Sequence, residues 1–108
     1  MGNLIYGVDP NSKLTPLEVR DALINCFYQA HCFDSGADIV KDKEVANLYC
    51  TDVVRKAFTD SGGDFENQTK ESILKAIGWL KEFSLSFRDP KIIERHASEI
   101  MELINKLK

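Results

Sequence analysis

The sequence of 108 residues lacks the features of secreted, membrane-spanning or disordered chains. Its three cysteines cannot all pair with one another, and it holds only 6 glycines and 3 prolines. No apolar run approaches the roughly 18 residues that a transmembrane helix needs, and the first residues show no signal-peptide pattern. We therefore expect a reduced, soluble, cytoplasmic protein without a disulfide framework or a membrane partner.

A basic charge balance is also missing. The chain has 14 Lys and Arg against 17 Asp and Glu, which gives a net charge of −3 at pH 7. Binding to nucleic acid requires clustered basic residues that neutralise phosphates, whereas the lysines here share their helical faces with glutamates. We expect no nucleic-acid partner.

What the chain does contain is helical periodicity. Apolar residues, 44% of the total, recur at steps of three and four, and no alternating strand pattern competes with them. The pattern predicts helices over residues 16–33, 43–59, 68–87 and 90–107. Four such helices joined by short or moderate links predict an all-α protein, an antiparallel four-helix bundle.

The predicted domain organisation is simple. Residues 1–14 form an irregular N-terminal arm, and residues 15–108 form a single helical-bundle domain. Within the second helix, one apolar face combines Ala46, Tyr49, Cys50, Val53, Val54 and Ala57, so we expect these side chains to point to the core.

Two of the predicted helices begin with clear capping signals. Thr15 and Glu18 match a capping box, and Pro16 occupies the first helical position, where its missing N–H costs nothing. Asp89 and Pro90 repeat the pattern of cap and proline before the last helix. The other predicted N-cap residues are Asp42 and Asn67.

Two of the links share an Asp-Ser-Gly motif, at residues 34–36 and 60–62. The second can be laid over an EF-hand frame, but Phe65 stands where the sharp turn needs glycine, and Gly62 supplies no side-chain oxygen. We interpret both links as helix C-caps followed by acidic residues that favour the next helix N-terminus.

Metal-binding patterns typical of bundles are absent from the sequence. The Glu-x-x-His motif of di-metal bundles needs a glutamate three residues before a histidine, and neither His31 nor His96 has one. Cys26 and Cys32 lie about 9 Å apart along one helix, too far to share an ion. We interpret Cys26 and Cys50 as small buried apolar residues, and we predict no metal, no cofactor and no catalytic residue.

His96 leaves one alternative open. It lies among Ile92, Ile93 and Ile100 on the core-facing side of the last helix. It could serve a small ligand-sensing or enzymatic domain as a general base or pH-sensitive group in a pocket. The simpler interpretation, which we favour, is a boundary histidine with one ring nitrogen bonded inside and the other in water.

Apolar side chains also exceed those that the predicted core stripes require. They flank the stripes of the first and third helices at Leu17, Ile24, Tyr28, Leu74, Trp79 and Leu85. Such residues commonly anchor a partner; alternatively, the N-terminal arm covers them through Leu4, Ile5 and Tyr6. The sequence thus favours a non-enzymatic helical domain for protein interaction or self-association, with a homodimer as one form.

Overall fold

The computed structural model describes residues 5–9, 11, 13–35, 43–86 and 91–107, and they form a bundle of four α-helices. The helices are α1 (Pro16–Ser35), α2 (Lys43–Asp60), α3 (Lys70–Phe83) and α4 (Ile92–Lys106), with a 3-10 helix at Ser84–Ser86. Within these ranges the only β-type pairing is an isolated bridge between Ile5 and Val8. The helices pack against one another in pairs, which confirms the predicted all-α four-helix bundle.

The directions of the helices follow from contacts at the two ends of the bundle. Near the end of α1, the His31 ring lies 5.1 Å from the ring of Tyr49, near the start of α2. Near the start of α1, Arg20 binds the carbonyl of Phe65 in the connection from α2 to α3. α1 and α2 therefore run antiparallel, and α1 also packs against α4, which closes the ring of four.

The core is a single cluster with members from all four helices. In α4 the buried residues recur at the helical spacing that an amphipathic helix requires; they are Ile92, Ile93, Ala97, Ile100, Leu103 and Ile104. Three core residues lie outside the four helices, each only 8% exposed: Ile5 in the N-terminal arm, Phe65 in the α2–α3 connection and Leu107 directly after α4. The arm and this connection therefore complete a core that the helices leave open.

α3 is shorter than its predicted range of 68–87. It starts at Lys70 because Thr69, not Asn67, is its N-cap: the Thr69 hydroxyl accepts from the Ser72 amide at 3.1 Å, and the Ser72 hydroxyl accepts from the Thr69 amide at 2.9 Å. After Phe83 the chain tightens into the 3-10 helix, where the Ser84 hydroxyl donates to the Lys81 carbonyl at 2.8 Å.

The other helix ends differ less from the prediction. α1 begins at Pro16 as expected, and the Thr15 hydroxyl accepts from the Glu18 amide at 3.4 Å. α1 and α2 extend to Ser35 and Asp60, and α4 is assigned from Ile92. Four predicted features lie outside the described residues: the Asp42 cap, the Asp89-Pro90 start, Leu4, and the glycine that ends the first Asp-Ser-Gly motif.

None of the described helices has both the length and the apolar character that crossing a lipid bilayer requires.

Candidate functional site

The six predicted contact residues do not lie on one surface. Leu17, Leu74 and Leu85 are exposed, whereas Ile24, Tyr28 and Trp79 are partly buried against the core. On α3, Trp79 follows Leu74 by five residues, which places it about 140° further around the helix axis. Trp79 and Leu74 therefore flank the core stripe of α3 on opposite sides.

Trp79 belongs to a row of five rings contributed by three helices. The Trp79 ring stacks on Phe83 at 5.4 Å between centroids and 13° between planes, and Phe83 contacts Phe27 at 6.0 Å. Phe27 in turn stacks on His31 at 6.0 Å and 4°, and His31 contacts Tyr49 at 5.1 Å. We call these five side chains the aromatic row; their separations lie in the range where rings attract one another.

The two ends of the aromatic row reach the protein surface. Tyr49 is 43% exposed, its neighbour Leu48 is 67% exposed, and Trp79 is partly buried. The helical pattern predicts that Tyr49 points to the core, and that prediction is wrong. Tyr49 lies at the edge of the α2 stripe, about 100° from the fully buried Cys50, and its exposure depends on how far a neighbouring helix covers that edge.

His96 is partly buried and bonded within its own helix. Its Nδ1 lies 2.9 Å from the Ile92 carbonyl oxygen, to which it donates when that nitrogen carries the hydrogen. The backbone carbonyl of His96 accepts a hydrogen bond from the Tyr6 phenol at 3.1 Å. This geometry favours the interpretation as a boundary histidine, while the ligand-sensing alternative stays a prediction.

Cys26 is buried beside Tyr6, and its thiol is held in the neutral form. Burial raises the pKa of Cys26 to about 12; hydrogen bonding with the Tyr6 phenol lowers it in part, and the charge of Glu99 raises it. Since only a thiolate is an effective nucleophile, Cys26 is inert at neutral pH. Cys50 is also fully buried, so both cysteines pack as the small apolar residues that we predicted.

A polar cavity of about 390 Å³ lies where α2 passes into α3. It is lined by Ser61 and Gly62 of the second Asp-Ser-Gly motif, by the connection that follows, and by residues of the first turns of α3. Its acidic groups are already engaged: the Asp64 carboxylate accepts from the Glu66 amide at 2.9 Å and from the Asn67 side chain at 3.2 Å, which lowers the pKa of Asp64. Glu71 pairs with Lys75 at 3.3 Å.

The backbone supports the interpretation of the second motif as a helix C-cap, since Gly62 has a φ of 90° and the Gly63 amide donates to the Phe58 carbonyl at 2.8 Å. The carboxylate that follows its glycines shapes the connection through bonds to its own neighbours. Within the described ranges, no group of three or more His, Cys, Asp or Glu side chains has the arrangement that would hold a metal ion.

Neither a protein-family model nor a curated protein or solved structure matches the chain. Among the described residues, the exposed end of the aromatic row, at Tyr49 and Leu48, is the strongest candidate surface.

Proposed function

We propose that this protein is a non-enzymatic helical domain that self-associates through the exposed end of the aromatic row. The observation that carries the proposal is the exposure of Tyr49 and Leu48 at the end of a packed row of rings. Aromatic side chains are enriched in protein interfaces, and buried aromatic anchors supply much of their binding energy.

The aromatic row makes this surface rigid before any partner binds. Tyr49 is held against His31, and Trp79 is stacked on Phe83. An interface formed by side chains that are already ordered loses less conformational entropy on binding than one formed by free side chains. This preorganisation distinguishes the surface from a leucine exposed singly elsewhere on the bundle, which needs no explanation.

A second copy of the chain is the partner that we propose. In a twofold dimer the same patch occurs on both subunits, so an apolar patch on one copy meets an apolar patch on the other. Dimerisation would remove Tyr49 and Leu48 from water, and burial of apolar surface is the main favourable term in such association.

The proposal is tested by sedimentation equilibrium over a wide concentration range, combined with quenching of Trp79 fluorescence. Trp79 is the only tryptophan and lies at the other end of the aromatic row from Tyr49, so its quenching shows whether the interface extends along the row. We expect the average mass to rise with concentration while the access of acrylamide to Trp79 stays constant; a fall in that access would place the interface at the Trp79 end instead. A protein that stays monomeric at every concentration would reject self-association.

Two matched variants locate the surface. Leu48→Glu places a charge beside Tyr49, whereas Leu17→Glu makes the same change at another exposed leucine, 45% exposed, at the opposite end of α1 from the aromatic row. We expect Leu48→Glu to weaken association at least about tenfold, because a charge must be desolvated in the interface, and Leu17→Glu to leave it unchanged. Equal effects of the two variants would place the interface elsewhere.

A further inference from the structure

Residues 5–8 form a miniature hairpin on the bundle surface. Ile5 and Val8 exchange both backbone hydrogen bonds, at 2.8 and 3.0 Å. The two residues between them have positive φ angles, 50° at Tyr6 and 87° at Gly7, as in the type I′ turns that close two-residue hairpins. We call residues 5–8 the N-terminal hairpin.

The N-terminal hairpin is docked across the seam between α1 and α4. Ile5 inserts into the core, and the Tyr6 phenol donates to the His96 carbonyl of α4 at 3.1 Å. From α1, the Asn25 side chain donates to the Tyr6 carbonyl at 3.1 Å, and burial, together with Cys26, the next residue, raises the pKa of the Tyr6 phenol. The hairpin therefore covers the seam at the position of Cys26.

Several features make this attachment easier to break than the bundle itself. The backbone bonds between Ile5 and Val8 are internal to the hairpin, so its release breaks no backbone–backbone bond of the four helices, and the released segment is free to relax. Tyr6 adopts a left-handed conformation that is unfavourable for a bulky residue. Among the described residues before α1, only Ile5 belongs to the buried core, at 8% exposed, while Tyr6, Val8 and Leu14 pack against the core partly buried. Most of the core therefore does not depend on the hairpin.

We infer that the N-terminal hairpin is a strap that releases from the α1–α4 seam while the four helices stay folded, and that its release exposes the Cys26 side chain to solvent. Local openings of this kind are expected where a segment makes few core contacts. Cys26 serves here as the reporter of opening. Cys50 is equally buried, lies on α2, and reports opening of the bundle.

The test measures how fast N-ethylmaleimide labels Cys26 and Cys50 in the full chain, with the labelled sites separated by peptide mass spectrometry. Two glycines of positive φ provide matched variants: Gly7, at 87°, in the hairpin and Gly62, at 90°, in the turn after α2. A Cβ at Gly7 would meet Asn25 at an ordinary 3.6 Å, and a Cβ at Gly62 would meet nothing within 4 Å. Each Gly→Ala change therefore adds backbone strain without a steric clash.

We expect Gly7→Ala to raise the labelling rate of Cys26 about tenfold, the population shift that strain of this kind produces, with no change at Cys50. Gly62→Ala should leave the ratio of the two rates unchanged. The inference is overturned if Gly7→Ala accelerates both cysteines equally, since Cys26 would then open only with the whole bundle, or if it accelerates neither.

A milder variant keeps the test decisive if Gly7→Ala does not fold, as judged by circular dichroism. Tyr6→Phe removes the phenolic hydrogen bond to His96 but keeps the ring. We expect it to raise the labelling of Cys26 severalfold and to leave Cys50 unchanged. A ratio equal to that of the native chain would reject the strap.

Discussion

At the scale of single residues, Phe65 shows how a residue of a connection becomes part of the core. The guanidinium groups of Arg20 and Arg55 lie over its ring, 4.3 and 4.8 Å from the centroid, and Phe58 meets the ring edge-on at 6.1 Å. Arg20 also donates to the Phe65 carbonyl at 2.9 Å. Phe65 therefore joins α1, α2 and the α2–α3 connection at one end of the bundle.

Replacing Phe65 with alanine should lower the free energy of unfolding by about 3 kcal/mol, the low end for truncation of a buried phenylalanine. The lost ring leaves a cavity beside Phe58 and removes the contacts with two guanidinium groups. Urea denaturation followed by circular dichroism measures the change. Leu85→Ala is the control, since Leu85 is highly exposed and should change stability by less than about 0.5 kcal/mol. A loss below that value for Phe65→Ala would show that the ring does not seal the core.

The buried thiol of Cys26 makes the free energy of unfolding fall at alkaline pH. Its pKa rises from 9.0 to about 12 on folding because it is buried. The folded chain therefore keeps a proton that the unfolded chain releases, so this contribution to stability is complete below pH 9 and is lost between pH 9 and pH 12.

The corresponding measurement is the free energy of unfolding as a function of pH for the native chain and for Cys26→Ala. We expect the native chain to lose stability more steeply above pH 9, by up to about 1.4 kcal/mol per pH unit. The two slopes should agree between pH 6 and pH 8. Equal slopes above pH 9 would mean that the thiol ionises as readily in the folded protein as in the unfolded chain.

At the scale of helices, the ends were predictable only where the capping signal had its usual composition. Thr15, Pro16 and Glu18 carry three known signals together, and α1 begins where they indicate. The start of α3 was misplaced because its reciprocal cap pairs two hydroxyl residues, Thr69 and Ser72, without the glutamate that marks a capping box in a sequence.

The Thr69 cap should contribute measurably to stability. Thr69→Ala removes the acceptor for the Ser72 amide, and we expect a loss of about 1 kcal/mol, typical for an N-cap. Thr59→Ala is a matched control, because the hydroxyl of this exposed threonine bonds only to carbonyls of its own helix at Arg55 and Lys56. Thermal unfolding should separate the two variants; a control that loses as much as Thr69→Ala would contradict a capping role.

At the scale of the whole molecule, the architecture was predictable and the candidate surface was not. Each apolar stripe gives the buried face of one helix, and four stripes with short links suffice for an antiparallel bundle. The exposure of Tyr49 and the stacking of Trp79 on Phe83 depend on how far a neighbouring helix covers the flank of each stripe. The angular position of a residue on one helix contains no information about that neighbour.

The bond between Arg20 and Phe65 also has a consequence for the kinetics of folding. The two residues are 45 positions apart in the chain, so their hydrogen bond can form only when α1, α2 and their connection are in place. We therefore expect it to form after the rate-limiting step of folding. Interactions absent from the transition state govern the unfolding rate and leave the folding rate nearly unchanged. In stopped-flow measurements Arg20→Ala should therefore raise the unfolding rate and leave the folding rate unchanged. The bond between Arg20 and Phe65 thus determines how long a folded molecule persists.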